Sequence, residues 1–177
     1  MIELQFSDWI TIASDQLINQ AANMRYMFGG LISVPMVLRA PVGGYVSAAA
    51  QHSHMFESMF AFIAGLKVVL PGTPYDAKGM LKSAIRSDDP VLFCESQGLY
   101  AARGPVPEGE YTVPLGKSAV VREGGDATIV AWGPAVPDAL KAAEELAEYI
   151  EKVSGARPDA WGGSRGTWWR VGRYPGR

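Results

Sequence analysis

Residues 67–94 decide the fold of this chain, and they read KVVLPGTPYDAKGMLKSAIRSDDPVLFC. Residues 68–70 form a short apolar run that predicts a strand covered on both faces, and Pro71-Gly72 ends it. A helix capped by Asp76 is predicted next, because apolar residues recur there with helical spacing. Residues 91–94 then predict a second buried strand. Strand, helix and strand at this spacing favour a parallel, doubly wound α/β sheet.

The residues upstream of this unit extend the same alternation. The predicted elements are, in order, a strand over 2–6, a helix from Ser7 or Asp8 to Gly29-Gly30, a strand over 34–38 and a helix over 55–62. A Gly/Ala-rich stretch and the sequence Gln51-His52-Ser53-His54 form the loop before the last helix. The whole segment therefore predicts one α/β domain.

The residues downstream of this domain predict only the beginning of a second one. Residues 98–116 are rich in glycine and proline, which is typical of a connecting segment. Strands over 117–122 and 127–132 are predicted to pair as a hairpin through Gly124-Gly125-Asp126, and a helix over 136–152 follows. One hairpin and one helix cannot close an α/β domain, so we expect apolar surface to remain exposed on this helix.

The chain therefore divides into four predicted regions. They are an α/β domain over 1–100, a connecting segment over 101–116, a truncated start of a second α/β domain over 117–155 and an aberrant or disordered tail over 156–177. The last 21 residues hold five arginines against Asp159 alone and are rich in tryptophan and glycine, whereas residues 1–156 carry a net charge of −6. We expect that the tail reflects translation in a wrong reading frame.

Composition excludes several classes of protein. With 48% hydrophobic and 19% charged residues the chain can form a core, so general disorder is excluded. A net charge of −2 gives no electrostatic reason to expect nucleic acid or an anionic membrane as a partner. No apolar run reaches the roughly 18 residues that a membrane span needs. The single cysteine, Cys94, excludes an internal disulfide and is expected to be a small buried hydrophobe.

The two histidines are the candidates for proton chemistry. His52 and His54 lie in a strand-to-helix loop, which in a parallel sheet belongs to the edge where active sites form. Positions two apart in an extended segment share a face, so both imidazoles could point into one cleft. From spacing alone, a structural histidine bonded to a backbone carbonyl is favoured over a functional one. A metal site is disfavoured because no further His or Cys ligand is in sight.

A set of ordered segments resembles one family. They are Glu3-Leu4-Gln5-Phe6-Ser7-Asp8-Trp9, Asp15-Gln16 with Asn19, Met24-Arg25-Tyr26-Met27-Phe28-Gly29-Gly30, Gln51-His52-Ser53, Gly65-Leu66-Lys67-Val68-Val69, Asp76-Ala77-Lys78-Gly79, Ala84-Ile85-Arg86 through Asp89-Pro90, Leu99-Tyr100, and Gly116-Lys117 to Arg122-Glu123-Gly124. Together they resemble the beta subunit of thiamine-diphosphate-dependent 2-oxo acid dehydrogenases of the pyruvate and acetoin type. The resemblance runs from Ile2 to about Lys152.

This resemblance implies a transketolase-like pyrimidine-binding domain followed by the start of the family's carboxy-terminal domain. It implies an alpha2beta2 enzyme in which the alpha subunit holds the diphosphate through magnesium and the beta subunit holds the aminopyrimidine. The implied reaction is the oxidative decarboxylation of pyruvate or a similar 2-oxo acid, with acyl transfer to the lipoyl group of an acyltransferase component. The implied compartment is the bacterial cytoplasm, or the mitochondrial matrix if the chain is eukaryotic.

The resemblance also assigns site residues. Trp9 falls where the family places an aromatic ring beside the aminopyrimidine, and His52 matches the active-site histidine of the Gln-His-Ser motif. A structural potassium site built mostly from backbone oxygens would fall at Met36, Ala84, Ile85, Ser87 and Asp89. Ser87 stands where the family usually has Asp.

Three departures from the family pattern bear on activity. His54 stands where the family usually has Gln, the strand with the glutamate that activates the cofactor would lie upstream of Met1, and the pattern ends after about Val153. We therefore expect the chain alone to be inactive. Two alternatives remain open: a piece of a one-chain transketolase-like enzyme, and a non-catalytic interaction module that kept the fold.

Overall fold

The computed structural model describes residues 1–123 and 128–155, which belong to two compact units divided after Leu115. A four-stranded parallel sheet in the order β1-β2-β4-β3 forms the centre of the first unit. The strands are β1 (Ile2–Glu3), β2 (Val37–Val42), β3 (Lys67–Val69) and β4 (Val91–Ser96). Its longer helices are α1 (Ile10–Asp15), α2 (Ala22–Met27) and α4 (Pro74–Ile85), and a single turn, α3 (Glu57–Phe60), precedes β3.

The sheet is covered on both faces, as the predicted doubly wound α/β class requires. Leu38 of β2 and Cys94 of β4 belong to the cluster that also contains Ile10 and Leu17 from the first helical segment. Their neighbours along the same strands, including Phe93, face a second cluster that contains Met80 and Ala84 of α4. Because side chains alternate between the faces of a strand, two central strands without exposed apolar positions supply both cores.

The first helical segment is continuous but not uniform. A 3-10 turn at Ser7–Trp9 leads into α1, and a π-helical stretch, Gln16–Ala21, separates α1 from α2. The side chain of Asn23 donates to the carbonyl of Ile18, five residues earlier, at 3.0 Å. The sequence predicted one regular helix here, and its end before Gly29-Gly30 is confirmed, but the π stretch was not predicted.

Several predicted boundaries were displaced. The strand predicted over 2–6 is only Ile2–Glu3, and the helix predicted over 55–62 is only Glu57–Phe60. β2 begins at Val37, not at residue 34, and it runs on through Arg39 and Pro41 because each of its residues has a partner in β4. The cap of α4 is Thr73, whose hydroxyl accepts from the backbone N–H of Asp76 at 3.1 Å, and Pro74 occupies the first turn. Asp76 is therefore a first-turn residue near the positive end of the helix dipole and not the cap itself.

The connecting segment after β4 is held against α4. Val113 donates its backbone N–H to the carbonyl of Gly79 at 3.1 Å and is 4% exposed. The Ser83 hydroxyl donates to the carbonyl of Val113 at 2.6 Å, and the Tyr111 ring stacks on Tyr75 with centroids 4.6 Å apart. Glu110 pairs with two basic residues of the α4 region. This part of the chain is an ordered strap, residues 110–113, and not a loose connector.

The described part of the second unit is mainly one helix, α5 (Ala135–Ser154), which ends at Gly155 with a positive φ of 70°. Ala131 and Val136 form a small core with two apolar residues of the first turns of α5. Leu146, Tyr149 and Val153 are exposed on the same helix, as the sequence predicted.

The strands predicted over 117–122 and 127–132 do not form within residues 116–123 and 128–134, because those residues have no ladder partner there. Gly124-Gly125-Asp126 and the tail from residue 156 lie outside the described residues. Within the described part, no helix combines the length and hydropathy that a bilayer crossing requires.

Candidate functional site

Three aromatic rings from two distant segments meet at one end of the first unit. The ring centroid of His52 lies 4.2 Å from that of Phe6, in an edge-to-face arrangement, and 6.1 Å from that of Trp9. Phe6 and Trp9 themselves are 6.2 Å apart. Trp9 and His52, which the sequence singled out separately, are thus brought together, and Phe6 joins them. We call Phe6, Trp9 and His52 the aromatic group.

A tight turn presents His52 to this group. His52 ends a 3-10 turn, Ala50–His52, and its backbone N–H donates to the carbonyl of Ala49 at 3.3 Å. Ala49 has a positive φ of 63°, a conformation that residues other than glycine rarely adopt. On the other side, the amide of Gln97 donates to the carbonyl of His52 at 3.2 Å, and Gln97 is buried. The backbone of His52 is therefore fixed by the loop after β2 and by the end of β4.

The second histidine lies beside the first helical segment. Nδ1 of His54 contacts Oδ1 of Asp8, and the carbonyl of His54 accepts from the Ser7 hydroxyl at 2.9 Å. Burial opposes ionisation of Asp8, but hydrogen bonds from His54 and from the backbone outweigh it, so the pKa of Asp8 lies below its ordinary value. The sequence marked Asp8 only as a possible helix cap, because nothing local connects it with a residue 46 positions later.

The aromatic group offers an exposed face on which a flat aromatic ligand could stack. Trp9 is 41% exposed although its neighbours Ser7 and Ile10 are buried, so one part of the indole faces outward. Aromatic rings stack on such a surface with centroids about 4.5–7 Å apart. His52 is half-buried beside it and can hold or move a proton close to a ligand placed there. The residues present therefore suit the aminopyrimidine ring that the family resemblance implies.

The five residues named for potassium lie around the turn between α4 and β4 and next to it. The carbonyl of Met36 accepts from Val91 at 2.8 Å, and that of Ala84 accepts from Ser87 at 3.1 Å. Ile85 is exposed. The Ser87 hydroxyl donates to the carbonyl of Asp89 at 3.0 Å. Backbone oxygens of the kind that hard cations prefer are therefore present.

The polar side chains of this turn are already engaged within the chain. The Lys67 ammonium lies 2.9 Å from the Ser87 hydroxyl and 2.9 Å from Oδ2 of Asp89, and Arg25 lies 2.8 Å from Oδ1 of Asp89. The hydrogen bond from Lys67, opposed by burial and helped by Arg25, holds the pKa of Asp89 below its usual range. A cation bound here would depend on the carbonyl oxygens.

A cavity of about 440 Å³ lies elsewhere in the first unit, lined by residues that include Arg39, Glu95 and Tyr100. Arg39 and Glu95 form a bidentate ion pair in its wall, with Nε donating to Oε1 at 2.6 Å and Nη2 donating to Oε2 at 2.9 Å. Burial and the neighbouring Glu95 carboxylate raise the pKa of Tyr100 to about 12. Neither Trp9 nor His52 lines this cavity. Arg39 and Glu95 satisfy one another, and Lys78, which also lines the cavity, donates to backbone carbonyls of residues 107–109. The aromatic group is therefore the better candidate site.

Cys94 is fully buried in β4, and burial raises the pKa of its thiol, so it is a packing residue as the sequence predicted. Within residues 1–123 and 128–155, no group of three or more His, Cys, Asp or Glu side chains is placed to hold a metal ion.

Comparison with known proteins connects this geometry with a family. Residues 1–103 match the family described as "Transketolase, pyrimidine binding domain", and residues 116–154 match "Transketolase, C-terminal domain". A solved structure described as "Split gene transketolase, inactive beta4 tetramer" has the same fold, with a TM-score of 0.64 and 20% identity, and the match covers 94% of this chain and 46% of that one.

Curated relatives cover the same part of the sequence. The beta subunit of acetoin:2,6-dichlorophenolindophenol oxidoreductase from Cupriavidus necator is 53% identical over 146 residues, which are 82% of this chain and 43% of the relative. The beta subunits of 2-oxoisovalerate dehydrogenase and of pyruvate dehydrogenase E1 from Bacillus subtilis are 49% and 46% identical, over 81% and 82% of this chain and 44% and 45% of their own length. The chain thus spans less than half the length of these relatives.

Proposed function

The chain belongs to the family of transketolase pyrimidine-binding domains, and on this premise we propose that it supplies the aminopyrimidine-binding part of the beta subunit of a 2-oxo acid dehydrogenase. The observation that carries the proposal is the aromatic group, in which an exposed indole and a half-buried imidazole share one surface. The relatives named as acetoin, pyruvate and 2-oxoisovalerate enzymes support it.

We assign the cofactor contact to Trp9. Thiamine diphosphate, when bound, supplies the electron sink for decarboxylation of a 2-oxo acid. The role of Trp9 is to stack on the aminopyrimidine, and its contact with Phe6 keeps the indole from turning away. Stacking of this kind contributes about 0.5–1.5 kcal/mol beyond the area it buries.

We assign proton transfer to His52. Its backbone is fixed on both sides, so the imidazole keeps its place beside Trp9 while the substrate changes. A positioned histidine transfers protons near neutral pH, which suits a role in orienting the 2-oxo acid and in passing the acyl group to a lipoyl arm.

We propose an alpha subunit that holds the diphosphate through magnesium in an alpha2beta2 assembly, and a lipoyl-bearing acyltransferase that accepts the acyl group. Pyruvate is the proposed substrate and the bacterial cytoplasm the proposed compartment; the relatives named above come from bacteria. The proposed layout keeps residues 1–100 as the pyrimidine-binding domain and 117–155 as the start of the second.

Reconstitution tests this function. The chain would be mixed with the alpha subunit of a bacterial pyruvate or acetoin dehydrogenase, magnesium and thiamine diphosphate, and pyruvate-dependent reduction of an artificial electron acceptor would be followed. Turnover supports the enzyme. A stable complex without turnover supports the interaction module instead, and no complex at all contradicts both.

Binding of the cofactor in that mixture tests Trp9 directly. Trp9→Ala should weaken thiamine diphosphate binding roughly tenfold, whereas Trp9→Phe keeps a ring and should retain most of the affinity. Trp132→Phe is the matched control, because Trp132 is 49% exposed and belongs to the second unit. Equal affinity in the Trp9→Ala variant and the unchanged chain would remove Trp9 from the cofactor site.

We also propose a potassium ion at Met36, Ala84, Ile85, Ser87 and Asp89, held by backbone oxygens. Thermal melting in potassium chloride and in choline chloride of equal ionic strength tests it without any activity. A melting temperature several degrees higher in potassium supports the ion. Equal melting temperatures would contradict the ion and leave Lys67 and Arg25 as the positive charges of this turn.

A further inference from the structure

His54 connects two parts of the site that are far apart in the sequence. Its ring Nδ1 contacts Asp8, while its carbonyl accepts from the Ser7 hydroxyl at 2.9 Å and from the backbone N–H of Gly43 at 3.2 Å. The side chain of Asp8 is 7% exposed and that of His54 is 55% exposed. The imidazole therefore covers a nearly buried carboxylate from the solvent side.

The residues that His54 joins are the immediate neighbours of the aromatic group. Asp8 precedes Trp9, and His54 follows His52 by two positions. Phe56 stacks on the His54 ring with centroids 5.1 Å apart and planes 18° from parallel, so Phe56 and Asp8 both restrain the ring. A change in the contact between Asp8 and His54 would therefore shift the loop of Ala50–His52 relative to the 3-10 turn of Ser7–Trp9.

The chemistry of the contact needs a donor at position 54. Asp8 is ionised at neutral pH because its pKa lies below the ordinary value, so it can only accept. Asp8 approaches the His54 ring from the first helical segment, Phe56 approaches it from its own loop, and the Ser7 hydroxyl is used by the backbone of His54. An imidazole N–H or a side-chain amide could supply the donor, whereas an aliphatic side chain could not.

We propose that His54 is a positioning residue that, by donating from Nδ1 to Asp8, sets the separation between the Trp9 and His52 rings. The inference deepens the proposed function, on which its catalytic meaning rests, but the geometry can be tested in the free chain. Misplacing a catalytic group by about 1 Å can cost on the order of a hundredfold in rate.

Nuclear magnetic resonance of the full chain without cofactor is the first test. Cross-peaks between the Trp9 and His52 rings, whose centroids are 6.1 Å apart, should persist in His54→Gln and be lost in His54→Ala. Asp8→Ala should lose them. Asp15→Ala should keep them, because Asp15 lies on the same helical segment and its carboxylate accepts from Gln16 and Asn19. Retained cross-peaks in both His54→Ala and Asp8→Ala would overturn the proposal.

Kinetics of the reconstituted complex are the second test. His54→Ala should lower kcat by about tenfold to a hundredfold, and His54→Gln should restore it to within about threefold. A loss of equal size in both variants would overturn the positioning role. If the unchanged chain shows no turnover, the proposed function fails while the cross-peaks still decide the inference. Circular dichroism melts identify any variant that does not fold. If His54→Ala does not fold, kcat of Asp8→Ala is compared with that of the unchanged chain in its place.

Discussion

At Ala49 the backbone is held in a strained conformation directly before the turn that presents His52. Its φ of 63° is combined with a ψ of −171°, a region that is almost restricted to glycine and that costs other residues about 1–3 kcal/mol. Ser47, two residues earlier, also has a positive φ, of 56°. The strain is maintained because the carbonyl of Ala49 accepts from both the His52 N–H and the Ser53 hydroxyl.

Replacing Ala49 by glycine should therefore stabilise the protein. We expect Ala49→Gly to raise the free energy of unfolding by about 1 kcal/mol, since relief of strain exceeds the entropy that glycine adds to the unfolded chain. Ala48→Gly, at a position without a positive φ, should lower it by about 0.5 kcal/mol. Urea denaturation measures both, and a lower midpoint for Ala49→Gly than for the unchanged chain would contradict the strain.

The role proposed for His52 separates cofactor binding from proton transfer. In the reconstituted complex, His52→Ala should lose about a hundredfold or more of lipoyl acylation while thiamine diphosphate binding changes little, because proton transfer and not stacking is removed. Acylation of a lipoyl domain and a cofactor titration measure the two effects. Equal acylation by variant and unchanged complex would remove His52 from the mechanism.

At the scale of elements, the strap over α4 explains why residue 79 is a glycine. A Cβ at Gly79 would lie 2.5 Å from Val113 and 2.8 Å from Tyr111, so there is no room for one. Helix propensity favours alanine by about 1 kcal/mol, but overpacking costs about 1–3 kcal/mol, and packing should win.

Gly79→Ala should therefore destabilise the protein by roughly 1–2 kcal/mol in spite of better helix propensity. Gly109→Ala is the matched control, because nothing lies within 4 Å of a Cβ at that position, and it should change stability by less than about 0.5 kcal/mol. Denaturant unfolding followed at 222 nm gives both values. A stabilised Gly79→Ala variant would mean that residues 110–113 leave α4 readily.

The same strap should respond to acid. Hydrogen bonds from Lys82 and Arg86, opposed by a small desolvation, lower the pKa of Glu110 to about 2. A carboxylate with a depressed pKa stabilises the folded state above its unfolded pKa, and that stabilisation is lost as the pH falls through the folded value. Carboxyl chemical shifts should thus titrate near pH 2 for Glu110 and move upward in Lys82→Met. An unchanged titration in Lys82→Met would contradict the pairing.

Sequence patterns predicted the elements better than their ends. The apolar runs at 68–70 and 91–94 were confirmed as strands. A strand that is buried on both faces is a continuous apolar run, which can be recognised in the sequence without knowing the strand it pairs with. The extension of β2 through Arg39 was not predictable, since that charge is tolerated only because Glu95 lies beside it in β4. At the site, family resemblance selected Trp9 and His52, but the contact of Asp8 with His54 depends on tertiary structure alone.

At the scale of the whole molecule, apolar side chains remain on the surface of both units. Tyr26 and Leu31 are 89% and 92% exposed at the end of α2 and in the turn that follows, together with Met27 and Phe28. Large exposed patches of this kind mark interaction surfaces. The chain should therefore need a partner or associate with itself.

Sedimentation velocity tests this expectation. The unchanged chain should show an average mass that rises with concentration, and a Tyr26→Ser, Leu31→Ser double variant should reduce the rise. Ile12→Ser is the control, because Ile12 is 87% exposed on α1, outside the turn. A concentration-independent monomer would show that the exposed residues drive no association.

Because β2 pairs with β4 and not with β3, the strand order β1-β2-β4-β3 also imposes a delay between the synthesis of these two paired strands on the ribosome. β2 is complete at Val42, yet the neighbour that pairs with all six of its residues ends only at Ser96. At about 5–20 residues per second, the nascent β2 waits roughly three to ten seconds before that neighbour is translated, with more time needed to clear the exit tunnel. During this interval the apolar strand has an open hydrogen-bonding edge, which makes the nascent chain a natural client for chaperones that bind near the tunnel exit.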